Sequence, residues 1–355
     1  MKKIDSAVGP LLARLFPQCP MPANSLTDIQ QILFIRPGGI GDAVLLIPAI
    51  QVLRLRYPHA KIEVLAEKRN AVIFELCPQV DKIFCYDRWR DWKRLFCSSY
   101  DLIIDTEQWH YLSAVIARLL RAPVRLGFAT NARSKLFTHP VSYSHDDYEV
   151  FSFYHLLHPL GTVCSRELNS PFLTVPEAVK SATELLDSVS EGYVVLFPGA
   201  SIQERRWGER KFVALAEKIA ALGFPLVIVG GDDDLTVGEA VEKNVVSAKN
   251  MAGKTSLLET ASILRGATLL ISGDSGVLHM AVGLGIRTVS LFGPGIAKKW
   301  APSGHRHTVI NHHLPCSPCT RFGTTPPCPI GAKCLQDMTV DEVFTAAETL
   351  LHSHA

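Results

Sequence analysis

Apolar runs of strand length alternate along the chain with stretches whose apolar residues recur at helical spacing, and the alternation occurs twice. In the first half, Ile32 to Arg36, Lys61 to Leu65, Lys82 to Tyr86, Leu102 to Asp105 and Val124 to Phe128 read as strands, mostly separated by helical patterns such as Ala43 to Tyr57. In the second half, Tyr193 to Phe197, Pro225 to Val229, Thr268 to Ser272 and Arg287 to Phe292 repeat the scheme. Strands alternating with helices predict α/β units with mainly parallel, doubly wound sheets. The stretch from Ser165 to Glu191, with Pro171, Pro176 and several serines, reads as the connection between them. The predicted domains are residues 1–170 and 192–355, with 171–191 as linker, and ligands are expected in a cleft at the carboxyl ends of the strands. Ahead of the first strand, Val8, Leu11, Leu12, Leu15 and Phe16 share one helical face. A short helix docked on the body is the favoured reading, with an interfacial anchor as the alternative.

Composition narrows the class. The chain has 355 residues, enough for two domains, and with 47% hydrophobic and 20% charged residues it can bury two cores. Thirty-six Lys and Arg stand against 34 Asp and Glu, a net charge of +2 without local clustering, which argues against a nucleic-acid partner. No apolar run reaches about 18 residues, so no spanning helix is expected, and Pro10 and Arg14 break the only candidate for a secretory signal. Of nine cysteines, five are dispersed (Cys19, Cys77, Cys85, Cys97, Cys164) and four cluster between Cys316 and Cys334, which suits a reduced, cytoplasmic compartment.

The candidate chemistry lies in the turns that follow strands. Gly38, Gly39, Gly41 and Asp42 join the first strand to its helix. The spacing is not that of a dinucleotide fingerprint, and Asp42 reads either as a helix cap, the commoner role there, or as a general base. After the first strand of the second half come Pro198, Gly199, Ala200 and Ser201, then Arg205, Arg206 and Trp207. Small residues, a hydroxyl and two guanidiniums suit a pyrophosphate; a solvated loop with an indole over the core is the plainer account. Asp232, Asp233 and Asp234 follow Gly230-Gly231. Capping by Asp234 and a ribose contact by Asp232 explain them without a divalent metal. Asp274, Ser275 and Gly276 open a helix that carries His279 one turn on, either a nucleotide-diphosphate cradle or a capped helix with a core histidine.

Together the segments IRPGGIGDAVLLIPAI, FPGASIQERRW, SGDSGVLHMAVGLG and LFGP, in this order between Ile32 and Pro294, resemble the ADP-heptose:lipopolysaccharide heptosyltransferases of glycosyltransferase family 9. The resemblance implies a GT-B fold of two Rossmann-like domains, the N-terminal one for the acceptor and the C-terminal one for the ADP-sugar. It implies Asp42 as catalytic base, which reverses the capping preference, with Gly38, Gly39 and Gly41 in the acceptor-side loop. Arg205 stabilises the departing diphosphate, and Ser201, Asp232, Asp274, Ser275, Gly276 and His279 contact the donor. Arg205 stands where well-known members carry Lys, and Ser275 where some carry Thr. The implied reaction is inverting transfer of heptose to a lipopolysaccharide core or related surface glycoconjugate, with no cofactor needed for catalysis and with peripheral contact at the cytoplasmic face of the inner membrane. The alternatives are a GT-B-like sugar-nucleotide epimerase, a protein acceptor, and a binding subunit without turnover.

Cys316, Cys319, Cys328 and Cys334 fall in a Pro- and Gly-rich stretch beyond these motifs. Four thiols within 19 residues can converge on a structural zinc or iron, against free thiols or two disulfides as the alternatives. The resemblance adds that related heptosyltransferases modifying surface proteins carry a cysteine-bound iron.

Overall fold

A computed structural model describes residues 2–21, 28–163, 165–168, 170–187, 189, 192–321 and 324–352. Cys164 and Glu191 lie outside the described residues. The chain divides into two compact units, Met1–Asn169 and Ser170–Ala355.

The first unit holds a six-stranded parallel sheet in the order β3-β2-β1-β4-β5-β6, formed by β1 (Gln31–Arg36), β2 (Lys61–Ala66), β3 (Lys82–Cys85), β4 (Leu102–Asp105), β5 (Val124–Phe128) and β6 (His139–Val141). The order reverses between β1 and β4, whose Ile35 and Asp105 are paired, so the loops after these strands flank a switch point, the usual ligand site of such sheets. On one face Leu33, Ile35, Leu65 and Ile103 pack under Ala13, Leu95, Ala114 and Ala117 from three helices. The helix Ile40–Arg56 is buried continuously from Ala43 to Ile50, so its apolar residues continue around the helix and the pattern is not a stripe.

The N-terminal helix Lys2–Leu15 is docked as expected, and the decisive contact is polar. The buried Asp5 carboxylate accepts from the backbone N–H groups of Tyr111 and Leu112, at 2.8 and 2.6 Å, and lies 3.1 Å from His110 Nδ1. Tyr111 and Leu112 begin the helix Leu112–Leu119, whose own N-cap side chain makes no such bond, so a residue more than a hundred positions away supplies the missing acceptor.

The second unit repeats the architecture in the order β12-β11-β10-β7-β8-β9, from β7 (Val194–Phe197), β8 (Leu226–Ile228), β9 (Ala248–Asn250), β10 (Leu269–Gly273), β11 (Arg287–Leu291) and β12 (His307–Ile310). Every ladder is parallel. Val194, Leu196, Leu269, Ile271 and Val289 pack against Phe212, Leu215, Val241, Val343 and Ala347 of three helices. Three strands escaped the sequence pattern: β6, β9 and β12, all at sheet edges and all only partly buried along most of their length. Such strands need no continuous apolar run, which is why periodicity does not find them. Within the expected linker, Phe172 and Leu173 are buried and donate their backbone N–H to Gly283 O, so this part is a fixed portion of the second unit. No helix among the described residues is long and apolar enough to cross a membrane.

Candidate active site

In the first unit, β1 ends in Arg36, a guanidinium only 1% exposed. Its Nε donates to Pro37 O at 2.6 Å and Nη1 to Thr106 O at 2.8 Å, while Nη2 faces Glu107, Gln108 and Asp42 at 3.5, 3.5 and 3.9 Å. Gly38, at φ +113°, is required here: a Cβ would stand 3.0 Å from Arg36 Nη2, in a backbone region that L side chains rarely enter. Gly39 is the N-cap of the helix Ile40–Arg56 and Gly41 lies in its first turn. Asp42 is not itself the N-cap, a position held by Gly39, which has no side chain to offer. Asp42 stands in the first turn, about a quarter exposed, with Oδ1 between Arg36 and Gln108 Nε2, the latter at 3.4 Å.

This surrounding was not read from the sequence. Gln108 Nε2 also donates to Glu149 Oε1, and Tyr143 Oη donates to Glu149 Oε2 at 2.9 Å. Arg133, fully buried, pairs with Asp105 and donates to Glu107 O. Burial alone would lower the Arg36 guanidinium's hold on its proton, but Asp42, Glu107, Glu149 and Asp105 together raise it. Glu107 is pulled the other way, below the usual carboxylate range: burial opposes ionisation, and Arg36 and Arg133 more than offset it. Burial, then the Glu149 carboxylate, pushes the Tyr143 phenol well up. The signal available in the sequence was position: Arg36, Glu107 and Gln108 lie at or just beyond the carboxyl ends of β1 and β4, where a switch point gathers ligand contacts.

In the second unit, the loop after β7 carries Ser201, exposed, and Arg205. Arg205 Nη1 meets Asp274 Oδ2 at 2.8 Å, and Nη2 lies 3.4 Å from Thr320 Oγ1. Arg206 serves the loop itself, donating from Nε to Ala200 O and from Nη1 to Asp233 O. The Trp207 indole covers the core, as the plainer account had it, with Nε1 donating to Met338 O. Asp234 is buried and accepts from Gly231 N at 3.0 Å, closing the turn that leaves Asp232 exposed. A Cβ on Gly199 or Gly230 would collide with the Asp234 carboxylate, so both glycines are set by that close approach.

Ser275 is the N-cap of the helix Gly276–Gly283, accepting from Leu278 N at 3.2 Å, and its hydroxyl is 2.9 Å from Ser272 Oγ. Asp274, just ahead, is 8% exposed. His279 is 3% exposed, and its Nδ1 finds no hydrogen-bond partner among the described residues. Burial drops its pKa to about 4, so the ring is neutral at ordinary pH. The cradle is therefore the start of one helix, one guanidinium shared with a carboxylate, and a neutral imidazole with an open nitrogen.

Cys316, Cys319, Cys328 and Cys334, read as ligands of a structural metal or as free thiols, come together in the fold. All four thiols line one small cavity with Pro294, Ser317 and Glu204, so the loop does gather them. Among the described residues, however, no three of His, Cys, Asp or Glu are placed to hold one ion, and the four cysteines are free thiols without disulfides. The loop is anchored by its own bonds: Cys319 N and Thr320 N donate to Pro294 O, Ser317 Oγ to Gly293 O, and Cys328 Sγ accepts from Ala332 N. Backbone bonds fix the loop, and burial together with the neighbouring cysteines raises the Cys319 and Cys334 thiols toward their neutral form. The donor atoms fit a metal in kind and number.

Comparison with known proteins converges on one family. The model of glycosyltransferase family 9 (heptosyltransferase) matches residues 88–328, about two thirds of the chain. Lipopolysaccharide heptosyltransferase 3 of Escherichia coli is 29% identical over 288 residues, covering 74% of this chain and 83% of that one. The E. coli ADP-heptose lipopolysaccharide heptosyltransferase II superposes with a TM-score of 0.73 at 23% identity, over 91% of this chain and 98% of that one. The iron-containing dodecameric glycosyltransferase TibC of enterotoxigenic E. coli gives 0.60 at 16% identity, over 92% and 77%. The structural likeness shows the GT-B fold of two Rossmann-like units, and the match across two thirds of the sequence shows that this chain is a glycosyltransferase belonging to family 9, the heptosyltransferases.

Proposed function

We propose that this enzyme transfers heptose from ADP-heptose to a hydroxyl of a lipopolysaccharide core, with inversion at the anomeric carbon. The donor and acceptor classes are those named for its relatives. The observation that carries the reading is Asp42: a partly exposed first-turn carboxylate held between Arg36 and Gln108 just after β1. Residues 1–170 are assigned to the acceptor, 171–191 to the connection and 192–355 to the donor. Asp42 takes the proton of the acceptor hydroxyl as that oxygen bonds to the anomeric carbon. The bond from that carbon to the phosphate oxygen breaks, and ADP leaves with the electron pair. Arg205 and the amides at Ser275 and Gly276 offset the charge that develops on it. Asp274 orients Arg205 through their 2.8 Å pair. Ser201 and Asp232, both exposed, are assigned to phosphate and ribose, and His279 offers its open nitrogen to the donor. Gly38, Gly39 and Gly41 leave the acceptor room to approach. The scheme uses no metal or cofactor.

A lipid-anchored acceptor places the enzyme in the cytoplasm, at the inner membrane's surface. The described surface of the first unit supports this with exposed Leu11, Leu15, Trp89, Phe96 and Leu119 alongside exposed Arg14, Arg90, Lys93 and Arg94, a mixture of apolar and cationic groups suited to an anionic lipid surface.

The test incubates the protein with ADP-heptose, with and without a truncated lipopolysaccharide core. Acceptor-dependent release of ADP and a product of inverted anomeric configuration are expected. Conversion of the donor alone would point to an epimerase and overturn the reading.

A further inference from the structure

Glu149 opens the helix Glu149–Leu156 and is 0% exposed, an expensive place for a carboxylate unless it is held by strong partners. A carboxylate in a helix's first turn gains from the macrodipole equally well at the surface, so helix chemistry does not account for the burial. Its surroundings are polar on each side the contacts define. Tyr143 Oη donates to Oε2 at 2.9 Å and Gln108 Nε2 to Oε1. That same amide nitrogen lies 3.4 Å from Asp42 Oδ1, while the amide oxygen lies 3.5 Å from Arg36 Nη2. The orientation of the amide is thus dictated from both ends: nitrogen to the two carboxylates, oxygen to the guanidinium.

We propose that Glu149 is a positioning residue for Asp42, acting through Gln108 to aim the Asp42 carboxylate. The inference rests on the reading of Asp42 as the base. Arg36 is the guanidinium that Asp42, Glu107 and Glu149 all sense, while Arg133 is engaged with Asp105. Among the described contacts, the charged and titratable groups around Asp42 and Glu149 include Arg36 at the end of β1, Glu107 just after β4, the pair of Asp105 at the end of β4 with Arg133 after β5, and Tyr143, whose ring packs edge-on to His145. Four carboxylates around two guanidiniums leave the site rich in negative charge. The amide between Glu149 and Asp42 keeps the two carboxylates apart and fixes their geometry. In the reaction the acceptor proton moves to Asp42 and stays there, and Glu149 changes no bond.

The experiment measures kcat and KM separately for the full-length enzyme with ADP-heptose and a truncated lipopolysaccharide core, alongside ADP affinity by calorimetry. In Glu149→Leu kcat falls about tenfold, because the Gln108 amide no longer holds Asp42 in line, while the acceptor KM and ADP affinity are unchanged. Gln108→Met lowers kcat by a similar factor, and the double variant is no slower than either single one, since both act on Asp42 along one path. A folded Glu149→Leu enzyme with unchanged kcat overturns the proposal. Should that variant fail to fold, unchanged kcat in Gln108→Met overturns it instead. Activity retained in Asp42→Asn is a different outcome, one that removes the base itself and leaves both variants without meaning.

Discussion

The two units share an architecture and differ in how they treat charge. At the end of β1 the first unit buries a guanidinium completely and surrounds it with carboxylates, leaving Asp42 as the most exposed member of the group for which the contacts give a value. After β7 and β10 the second unit pairs one guanidinium with one carboxylate and adds a histidine kept neutral by burial. The first arrangement suits taking up a proton; the second suits receiving a diphosphate, with a helix start and one oriented cation. One fold thus supports a basic site and an anion site through the side chains at its strand ends, not through its topology.

The largest expected effect breaks the first half of that contrast. Arg36→Met leaves Asp42, Glu107 and Glu149 without their shared cation, and urea denaturation should show a loss of about 3–5 kcal/mol, the usual consequence of stranding buried charge. A loss below about 1 kcal/mol would mean that the carboxylates are held by other means.

Arg205→Ala tests the other half. ADP-heptose affinity should fall about tenfold or more and transfer should slow with it, as a fixed cation near the diphosphate is removed. Unchanged affinity in calorimetry together with an unchanged rate would detach Arg205 from the donor.

A smaller, graded effect follows from the neutral histidine. The folded-state pKa of His279 is lowered to about 4 from an ordinary 6.5, so the unfolded chain binds its proton first. Its contribution to stability is complete above pH 6.5 and is lost as pH falls from there toward 4. His307, also near 4 through burial and then Arg306 and His305, acts in the same window. Thermal midpoints of His279→Asn should therefore decline less steeply than the wild type's between pH 6.5 and 4; parallel curves would show that burial is not what holds the ring neutral.

How much of this was legible in the sequence depended on the range of the information. Fully buried strands such as Leu102 to Asp105 and Val124 to Phe128 were found at their observed bounds, and so was the alternation that makes both sheets parallel. The edge strands β6, β9 and β12 carry His-Pro-Val, Ala-Lys-Asn and His-Thr-Val-Ile, mixtures set by one-sided burial that no periodicity marks. In the site, residues within a motif were visible and their partners were not. Arg205 and Asp274 were singled out separately, yet their ion pair joins loops 69 positions apart. Glu149 lies in no motif and meets Gln108 across 41 positions, so only the folded sheet brings it into view. Ser275 proved to cap its helix, a reading that its sequence position allowed from the start.

Every step proposed for the first unit depends on Asp42 as the base. The decisive measurement is single-turnover transfer by Asp42→Asn beside its ADP affinity. Transfer should fall by about 10² or more with ADP binding within a few-fold of wild type, the signature of a lost general base in an intact donor site. Transfer at near the wild-type rate would contradict it and leave Asp42 a first-turn carboxylate with no role in the chemistry.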